Sequence, residues 1–500
     1  MTISDLPTMV YRWWCFALVF IANGCSIGPD YRRPKLDLPT IVDGCGGKID
    51  EFACAKWWTT FRDPTLNKLE DMALKKNADI RQAIANVEEA MAAVGMAMSD
   101  LLPSIALKGD GSETGLSRKS VIGQLGQARA GTQGAGGTQG FSSNGYESYI
   151  AKSLVAYEID LFGKYRRSSE AARAILLASS AAKNVVTLTV TAEVAKAYFA
   201  VRALDAKLAI ARRTLKTRQE SYEMYKSRLT NGYCTEFDCL RVEADMRSIK
   251  AMVLDLECAL EKAETALSVL IGCGPREIVV RKTTRSSSLE SLGVPSDIPS
   301  GLPSDLLSRR PDVLQAEGML MEASARIGVA ESAHLPSISL TGMFGFESLS
   351  LKELFSNGSD TWNVGASISL PIFNGGKIMF GSKAARARYK RIRAAYEKSV
   401  QIAFKEVLDT LISNRKIREM VGSRIAQVNA LRKGYLLARK QKEVGLIGLL
   451  DLLDVERGLL AAEMDLAGAL QNQLNATVDL CKALGGGWVY GKRTRRVSNK

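Results

Sequence analysis

Apolar side chains fall on every second position from residue 337 onward. Ile338, Leu340, Phe344 and Phe346 alternate with Ser337, Ser339, Thr341 and Met343. The alternation resumes with Trp362, Val364, Ala366, Ile368, Leu370 and Ile372, set against Asn363, Gly365, Ser367, Ser369 and Pro371. A period of two sustained over about ten residues predicts a strand with one apolar and one polar face. Membrane-barrel strands and half-buried sheets share that pattern. Ile105 and Leu107 begin a similar segment, and Tyr149, Ala151, Val155, Tyr157 and Ile159 line a fourth.

Elsewhere the period is helical. No proline interrupts Gly163 to Asn231, and Val190, Val194, Ala197, Val201, Leu204, Leu208, Ala211 and Leu215 step by four and three in a heptad seam. At 1.5 Å per residue such a helix reaches about 100 Å. Gly232 and Gly445 stand where each long helix should stop, in positions suited to a left-handed cap. Beyond Gly445 a returning helix carries Leu453, Leu460, Met464, Ala467, Leu474, Val478 and Cys481 near the same register. Two long antiparallel helical hairpins are therefore expected.

The chain repeats itself. Leu102-Pro103-Ser104-Ile105 recurs as Leu335-Pro336-Ser337-Ile338, an offset of 336 − 103 = 233 that also pairs Asp79 with Asp312 and Gly95 with Gly328. Farther on, Glu170-Ala171-Ala172-Arg173 recurs as Lys383-Ala384-Ala385-Arg386, at 383 − 170 = 213. The same offset pairs Gly163 with Gly376, Gly232 with Gly445, Glu243 with Glu456 and Gly272 with Gly485. The 20 extra residues of the first copy fall in the Gly/Gln-rich stretch Gly109 to Gly145, read as a flexible loop.

Composition narrows the class. The 500 residues are 46% hydrophobic and 24% charged, with a formal net charge of +14. Mean hydropathy is −0.03. No uninterrupted apolar run of about 18 residues follows the N-terminal region, so any membrane crossing falls to strands. Lys and Arg are mixed with acids along the helices; the compact basic run is the tail, Lys492 to Arg496, and no nucleic-acid module is recognisable.

The N-terminus reads as a signal peptide, Trp13 to Ala22 being too short to span. It ends in Ile21-Ala22-Asn23-Gly24-Cys25, which resembles a bacterial lipobox although Ala22 replaces the usual bulky aliphatic residue. Cys25 would then carry the lipid, and Met9 offers an alternative start. Nine cysteines permit disulfides in an exported protein, with Cys45 and Cys54, and Cys234 and Cys239, as the close pairs. No CxxC or Cys/His group suggests zinc, and His334, the single histidine, reads as structural. No G-x-S-x-G, H-E-x-x-H or P-loop points to an enzyme or a cofactor, so no catalytic or metal residue is expected.

Four strands per chain cannot close a barrel. An open edge cannot sit in hydrocarbon, because its N–H and C=O groups would lack partners. Three copies supply a closed twelve-stranded barrel of even count. The expected architecture is mainly α with transmembrane β: a duplicated chain whose trimeric barrel continues into a long α-helical coiled-coil barrel.

Phrases in order carry a resemblance. They are Gly24-Cys25-Ser26-Ile27-Gly28-Pro29-Asp30-Tyr31-Arg32-Arg33-Pro34, Trp57-Trp58 with Phe61, Asp63-Pro64 and Leu66, and Glu158-Ile159-Asp160-Leu161-Phe162-Gly163. Gly301-Leu302-Pro303-Ser304-Asp305 through Arg309-Arg310-Pro311-Asp312, and Leu450-Asp451-Leu452-Leu453-Asp454-Val455-Glu456-Arg457, complete the set. Together they resemble the TolC-like outer-membrane efflux proteins, in the lipoprotein branch that serves resistance–nodulation–division pumps. The resemblance implies a lipid-anchored homotrimer in the outer membrane of a Gram-negative bacterium. It implies small-molecule export with a periplasmic adaptor and an inner-membrane resistance–nodulation–division transporter as partners. It places a periplasmic gate at Leu450, Asp454 and Arg457, and adaptor-contacting tips at Asn231-Gly232-Tyr233 and Val444-Gly445-Leu446. The implied layout is a signal over 1–24, a lipid-anchored segment over 25–60, repeats over 61–275 and 301–487, a linker over 276–300 and a tail over 488–500. A duct for type I protein secretion and a soluble coiled-coil scaffold are the alternatives.

Overall fold

The computed structural model describes residues 26–35, 56–115, 146–280 and 310–486. Cys25, the signal, the Cys45–Cys54 pair, most of the linker and the basic tail lie outside those residues.

The duplication predicted from the offsets is built into the elements. The first copy contains α1 (Pro64–Lys76), α2 (Ala78–Ser99), β1 (Ser104–Thr114), β2 (Tyr146–Ile159), α3 (Lys164–Thr230), α4 (Glu236–Leu270) and the short α5 (Pro275–Val280). The second contains α6 (Pro311–Ser332), β3 (Ser337–Ser348), β4 (Asp360–Ser369), α7 (Lys377–Glu443) and α8 (Leu449–Ala483). Helices α2 and α6 have 22 residues each, α3 and α7 have 67, and α4 and α8 have 35.

Two compact units divide the chain. One takes the described part of Met1–Arg33 with Glu89–Leu176 and Met319–Arg393. It contains an antiparallel sheet in the order β1-β2-β3-β4. Register sets Ile105, Val155, Gly342 and Val364 in one row, and Leu107, Ser153, Phe344 and Trp362 in the next. Partners in a ladder share a face, so these rows and Tyr157 with Leu340 make an apolar face exposed in the single chain. Val364 is 79% exposed and Leu107 87%. The other face carries Lys108, Asp110, Lys152, Thr341, Asn363 and Ser367, with Leu154 and Met343 among them. On it Lys152 pairs with Glu347 at 2.6 Å.

Two strand ends differ from expectation. β1 runs to Thr114, so Gly109–Thr114 is ladder rather than loop, because the 14-residue β2 supplies partners as far as Tyr146. β4 stops at Ser369, short of Leu370 and Ile372, because its partner β3 begins at Ser337 and both flanks carry prolines that cannot donate.

An N-terminal strap packs in the same unit. Ile27 donates its N–H to the Phe162 carbonyl at 3.1 Å. The buried Arg167 donates to the Ile27 and Gly28 carbonyls and pairs with Asp30 at 2.8 Å. A Cβ at Gly163, whose φ is 82°, would lie 2.9 Å from Ser26 Cα. His334 Nε2 meets Ser382 Oγ at 3.0 Å, a structural contact.

The second unit takes Pro34–Glu88, Leu177–Gly318 and Ala394–Lys500, as far as described. Here the Trp57-Trp58-Phe61-Asp63-Pro64 phrase acquires its reason. Trp57, Trp58 and Phe61 are buried, and Phe61 meets Phe199 edge-on with centroids 5.0 Å apart. Asp63 caps α1 by accepting from the Thr65 and Leu66 amides, Pro64 fills the first helical position, and Tyr198 donates to Asp63 at 2.7 Å. Glu70, about two turns later, is fully buried with neither carboxylate oxygen hydrogen-bonded. Burial first, and then the charge of Asp71, raise its pKa well above the usual carboxylate value. The predicted seam is the packing face of α3: Val190, Val194, Val201, Leu208 and Ala211 are buried and the intervening seam positions half-buried.

Candidate gate at the helix tips

The turns that end the long helices are built alike. After α3, the Gly232 N–H donates to Leu229 and the Tyr233 N–H to Arg228 at 2.8 Å. After α7, the Gly445 N–H donates to Lys442 and the Leu446 N–H to Gln441 at 2.8 Å. Both are Schellman turns, which need a left-handed residue at their centre; φ is 73° at Gly232 and 77° at Gly445. The next helices restart on caps. Thr235 and Asp238 form a capping box, whereas Asp451 alone reaches back to the Gly448 amide. Asn231, Gly232 and Tyr233, like Val444, Gly445 and Leu446, are exposed.

Cys234 and Cys239 flank the first cap at the N′ and N4 positions of α4. Both are free thiols, as is Cys258. The Cys234 thiol donates to the Tyr225 carbonyl at 3.4 Å. Burial, and then neighbouring Cys239, raise its pKa, so Cys234 is not an activated nucleophile.

The structure places Leu450, Asp454 and Arg457 together on the first turns of α8. Arg457 Nη1 donates to Asp454 Oδ1 at 3.2 Å, and both side chains are exposed. Leu450 is also exposed, just past the tip. Arg457 also reaches across to Asp245 Oδ1 on α4 at 3.4 Å.

Behind that pair lies a cluster that pattern reasoning did not single out. Arg218 of α3, 1% exposed, pairs with Asp245 Oδ2 at 2.8 Å and Glu456 Oε2 at 2.5 Å. Burial, then the charge of Glu456, raise the pKa of Tyr435 on α7. Burial is also the main cause of a lowered pKa at Lys442. Helices α3, α4 and α8, from both repeats, thus meet on one buried guanidinium, and Tyr435 brings α7 to the same Glu456. The signal was available: continuing the seam from Leu215 by three lands on Arg218, and Glu456 interrupts the α8 seam between Leu453 and Leu460.

Farther along, α8 is tied on both sides. Arg213 of α3 and Arg432 of α7 both reach the buried Glu463, the latter at 2.8 Å. Lys196 pairs with Asp479 at 2.5 Å, and Asn414 Nδ2 donates to the Ala476 carbonyl at 2.7 Å. Among the described residues no group of three or more His, Cys, Asp or Glu side chains is arranged to hold a metal. Chemically the site is an ion-pair network, with exposed Asp454 and Arg457 able to bind charge.

The model of the family described as outer membrane efflux protein matches residues 69–273 and again 302–486. The chain belongs to that family. Members are similar along almost their whole length. The toluene efflux pump outer membrane protein TtgC of Pseudomonas putida is 32% identical over 478 residues, 94% of each chain. The probable outer membrane lipoprotein SilC of Salmonella typhimurium is 30% identical over 476 residues, 94% of this chain and 97% of its own. The crystal structure of the Campylobacter jejuni CmeC outer membrane channel superposes with a TM-score of 0.84 at 26% identity, covering 93% of this chain and 95% of that one. The outer membrane efflux family is one of channels rather than enzymes.

Proposed function

We propose that three copies of this chain form one conduit through the outer membrane, passing small toxic molecules received from a periplasmic adaptor and an inner-membrane resistance–nodulation–division pump. One observation carries the reading: a four-stranded sheet presents an apolar face to its surroundings and, among the described residues, leaves the outer edges of β1 and β4 without ladder partners. In hydrocarbon each orphaned N–H or C=O costs several kcal/mol, so one chain cannot remain there alone. Three four-stranded sheets make a closed barrel of twelve strands. Strands of 10 to 14 residues suit the thickness of a bilayer core. The most apolar 18 residues of α3 have a mean hydropathy of 1.4 and are only 33% buried, which leaves packing surface for a neighbouring copy.

In this reading Cys25 carries the acyl chains, residues 25–60 tether the chain, the repeats span 61–275 and 301–487, and 276–300 links them. Leu450, Asp454 and Arg457 close the periplasmic end. Three Asp454 carboxylates converge there, each restrained by Arg457 and, through Asp245, by Arg218. The tips Asn231-Gly232-Tyr233 and Val444-Gly445-Leu446 receive the adaptor. The exposed apolar side chains Tyr233, Val444 and Leu446 are surface for such a contact.

Planar-bilayer conductance of the purified protein tests the proposal. Wild type conducts little; Asp454→Ala and Arg457→Ala each raise conductance. Insertion without any gain in the variants removes the gate, and failure to insert removes the conduit.

A further inference from the structure

We propose that the first turns of α7 form a binding site for the headgroups of anionic phospholipids at the periplasmic face of the outer membrane. The inference rests on the membrane placement proposed above and assigns a lipid class and residues to it.

The sheet has one end at which its strands meet the helices. Ile159, Ile338 and Ile368 share a row there, and Ser337 faces Ser369. β2 leaves that end through Gly163 into α3, and β4 leaves it through Gly376, the equivalent left-handed glycine, into α7. The strap is pinned at the same end by Phe162, Gly163 and Arg167. Ser26 immediately follows Cys25, the lipid carrier in the function proposed above. The strap and the start of α7 therefore share one level, which the proposed membrane placement puts at the boundary where hydrocarbon gives way to headgroups.

Charge is concentrated there. Between Lys377 and Lys398 the chain has eight basic residues and a single acid, Glu397. Internal pairing absorbs part of the charge: Arg386 binds Glu331 at 2.7 Å and Arg388 binds Glu322 at 3.0 Å. Lys377, Lys383, Lys390 and Arg391 are exposed and have no carboxylate partner among the described residues. Lys383 lies over the ring of Phe380 at 5.5 Å. Apolar Ile372, Phe373, Met379 and Phe380, all exposed, precede or interleave with these cations.

The first repeat supplies the contrast. At the same place in α3, Lys164 pairs with Glu158, Arg166 with Asp160, and Arg167 with Glu170 and Asp30. Lys164, Arg166 and Arg167 are thus spent on the protein's own carboxylates, leaving the exposed Arg173, which meets Met98 Sδ, whereas the start of α7 has four such cations.

Reach agrees with the assignment. Headgroups occupy about 5–8 Å on each side of the hydrocarbon. Lys377 and Lys383 fall within or just below that layer along the helix axis. Arg391 lies about 21 Å from Lys377 at 1.5 Å per residue. Its long side chain and a Debye length of about 8 Å still bring it within the field of an anionic surface. Each such cation favours an anionic surface by about fivefold.

Native mass spectrometry of the full-length protein tests this, in micelles doped with equal amounts of phosphatidylglycerol and phosphatidylcholine of distinct masses. Wild type is expected to retain phosphatidylglycerol over phosphatidylcholine by more than tenfold, and the preference to fall as salt rises. The Lys377→Gln/Lys383→Gln/Lys390→Gln/Arg391→Gln variant should retain both alike. A Lys433→Gln/Lys440→Gln variant, with charge removed at the other end of α7, should behave as wild type. Equal retention by wild type, or an unchanged preference in the fourfold variant, overturns the proposal. So does a fourfold variant that keeps its lipid preference while its ion selectivity in planar bilayers changes, because the cations would then line the water path. Circular dichroism at wild-type amplitude and melting temperature confirms that the fourfold variant is folded; if it is not, the paired substitutions Lys377→Gln/Lys383→Gln and Lys390→Gln/Arg391→Gln are scored by the same criteria. A wild type that never inserts into vesicles defeats the outer-membrane reading itself, an outcome separate from loss of headgroup preference.

Discussion

Val364→Arg separates a lipid-facing sheet from an ordinary half-buried one. Val364 is the fifth of the ten residues of β4, in the apolar row with Ile105 and Val155. With a rise of about 3.3 Å per residue and a tilt of about 40°, each strand residue climbs about 2.5 Å along the membrane normal. Ten residues then match a hydrophobic band of about 25 Å, and Val364 sits within about 2 Å of its middle. An arginine on the lipid face at that depth costs about 2–4 kcal/mol in each chain. Asn363, one residue earlier, faces the other side, so Asn363→Arg should cost nothing comparable. Folding into lipid vesicles followed by denaturant titration measures the difference. The expected result is a destabilised Val364→Arg beside a near-native Asn363→Arg whose single-channel conductance is altered. Equal stability of the two, or greater damage from Asn363→Arg, refutes the assignment of faces.

Two further outcomes follow from buried charge. Arg218→Met leaves Asp245 and Glu456 without their central cation, and breaking such a buried pair costs about 3–5 kcal/mol; melting by circular dichroism should register the loss, and bilayer conductance should rise. A double-mutant cycle with Glu456→Gln should show coupling above about 0.5 kcal/mol, and additivity would dissolve the cluster. Glu70→Gln should stabilise the protein at neutral pH by about 1–2 kcal/mol, because it removes a buried carboxyl without hydrogen-bond partners. The raised native pKa means that the folded state binds the proton above the unfolded value of about 4.3, so wild-type stability declines as pH climbs from there. The advantage of Gln should therefore vanish near pH 4 and grow toward neutrality; a constant difference in melting temperature across pH contradicts the shift.

Much of the fold was legible because period and repetition are local signals. The seam from Val190 to Leu215 is the buried face of α3, and the glycines at 232 and 445 are the left-handed caps expected of them. Strand limits were less legible. Gly109–Thr114 has the composition of a loop, and only the length of β2 opposite draws it into the ladder. The apparent continuation through Leu370 and Ile372 ends because no partner residue remains. At the tips, Asp454 and Arg457 came from a phrase, while Arg218 and Asp245 required knowing which helices touch. A lone arginine on a seam announces a buried cation, but not the carboxylates from other helices that receive it.

The two sheet edges, unpaired among the described residues, also have a consequence for inheritance. In the three-chain barrel proposed above, β4 of each chain would join β1 of the next, so one copy with a damaged edge would spoil two sound neighbours. Where a wild-type gene and an edge-defective allele are expressed equally, only about one ring in eight is wholly sound. Such alleles should be dominant, whereas a null allele of the same gene should be recessive.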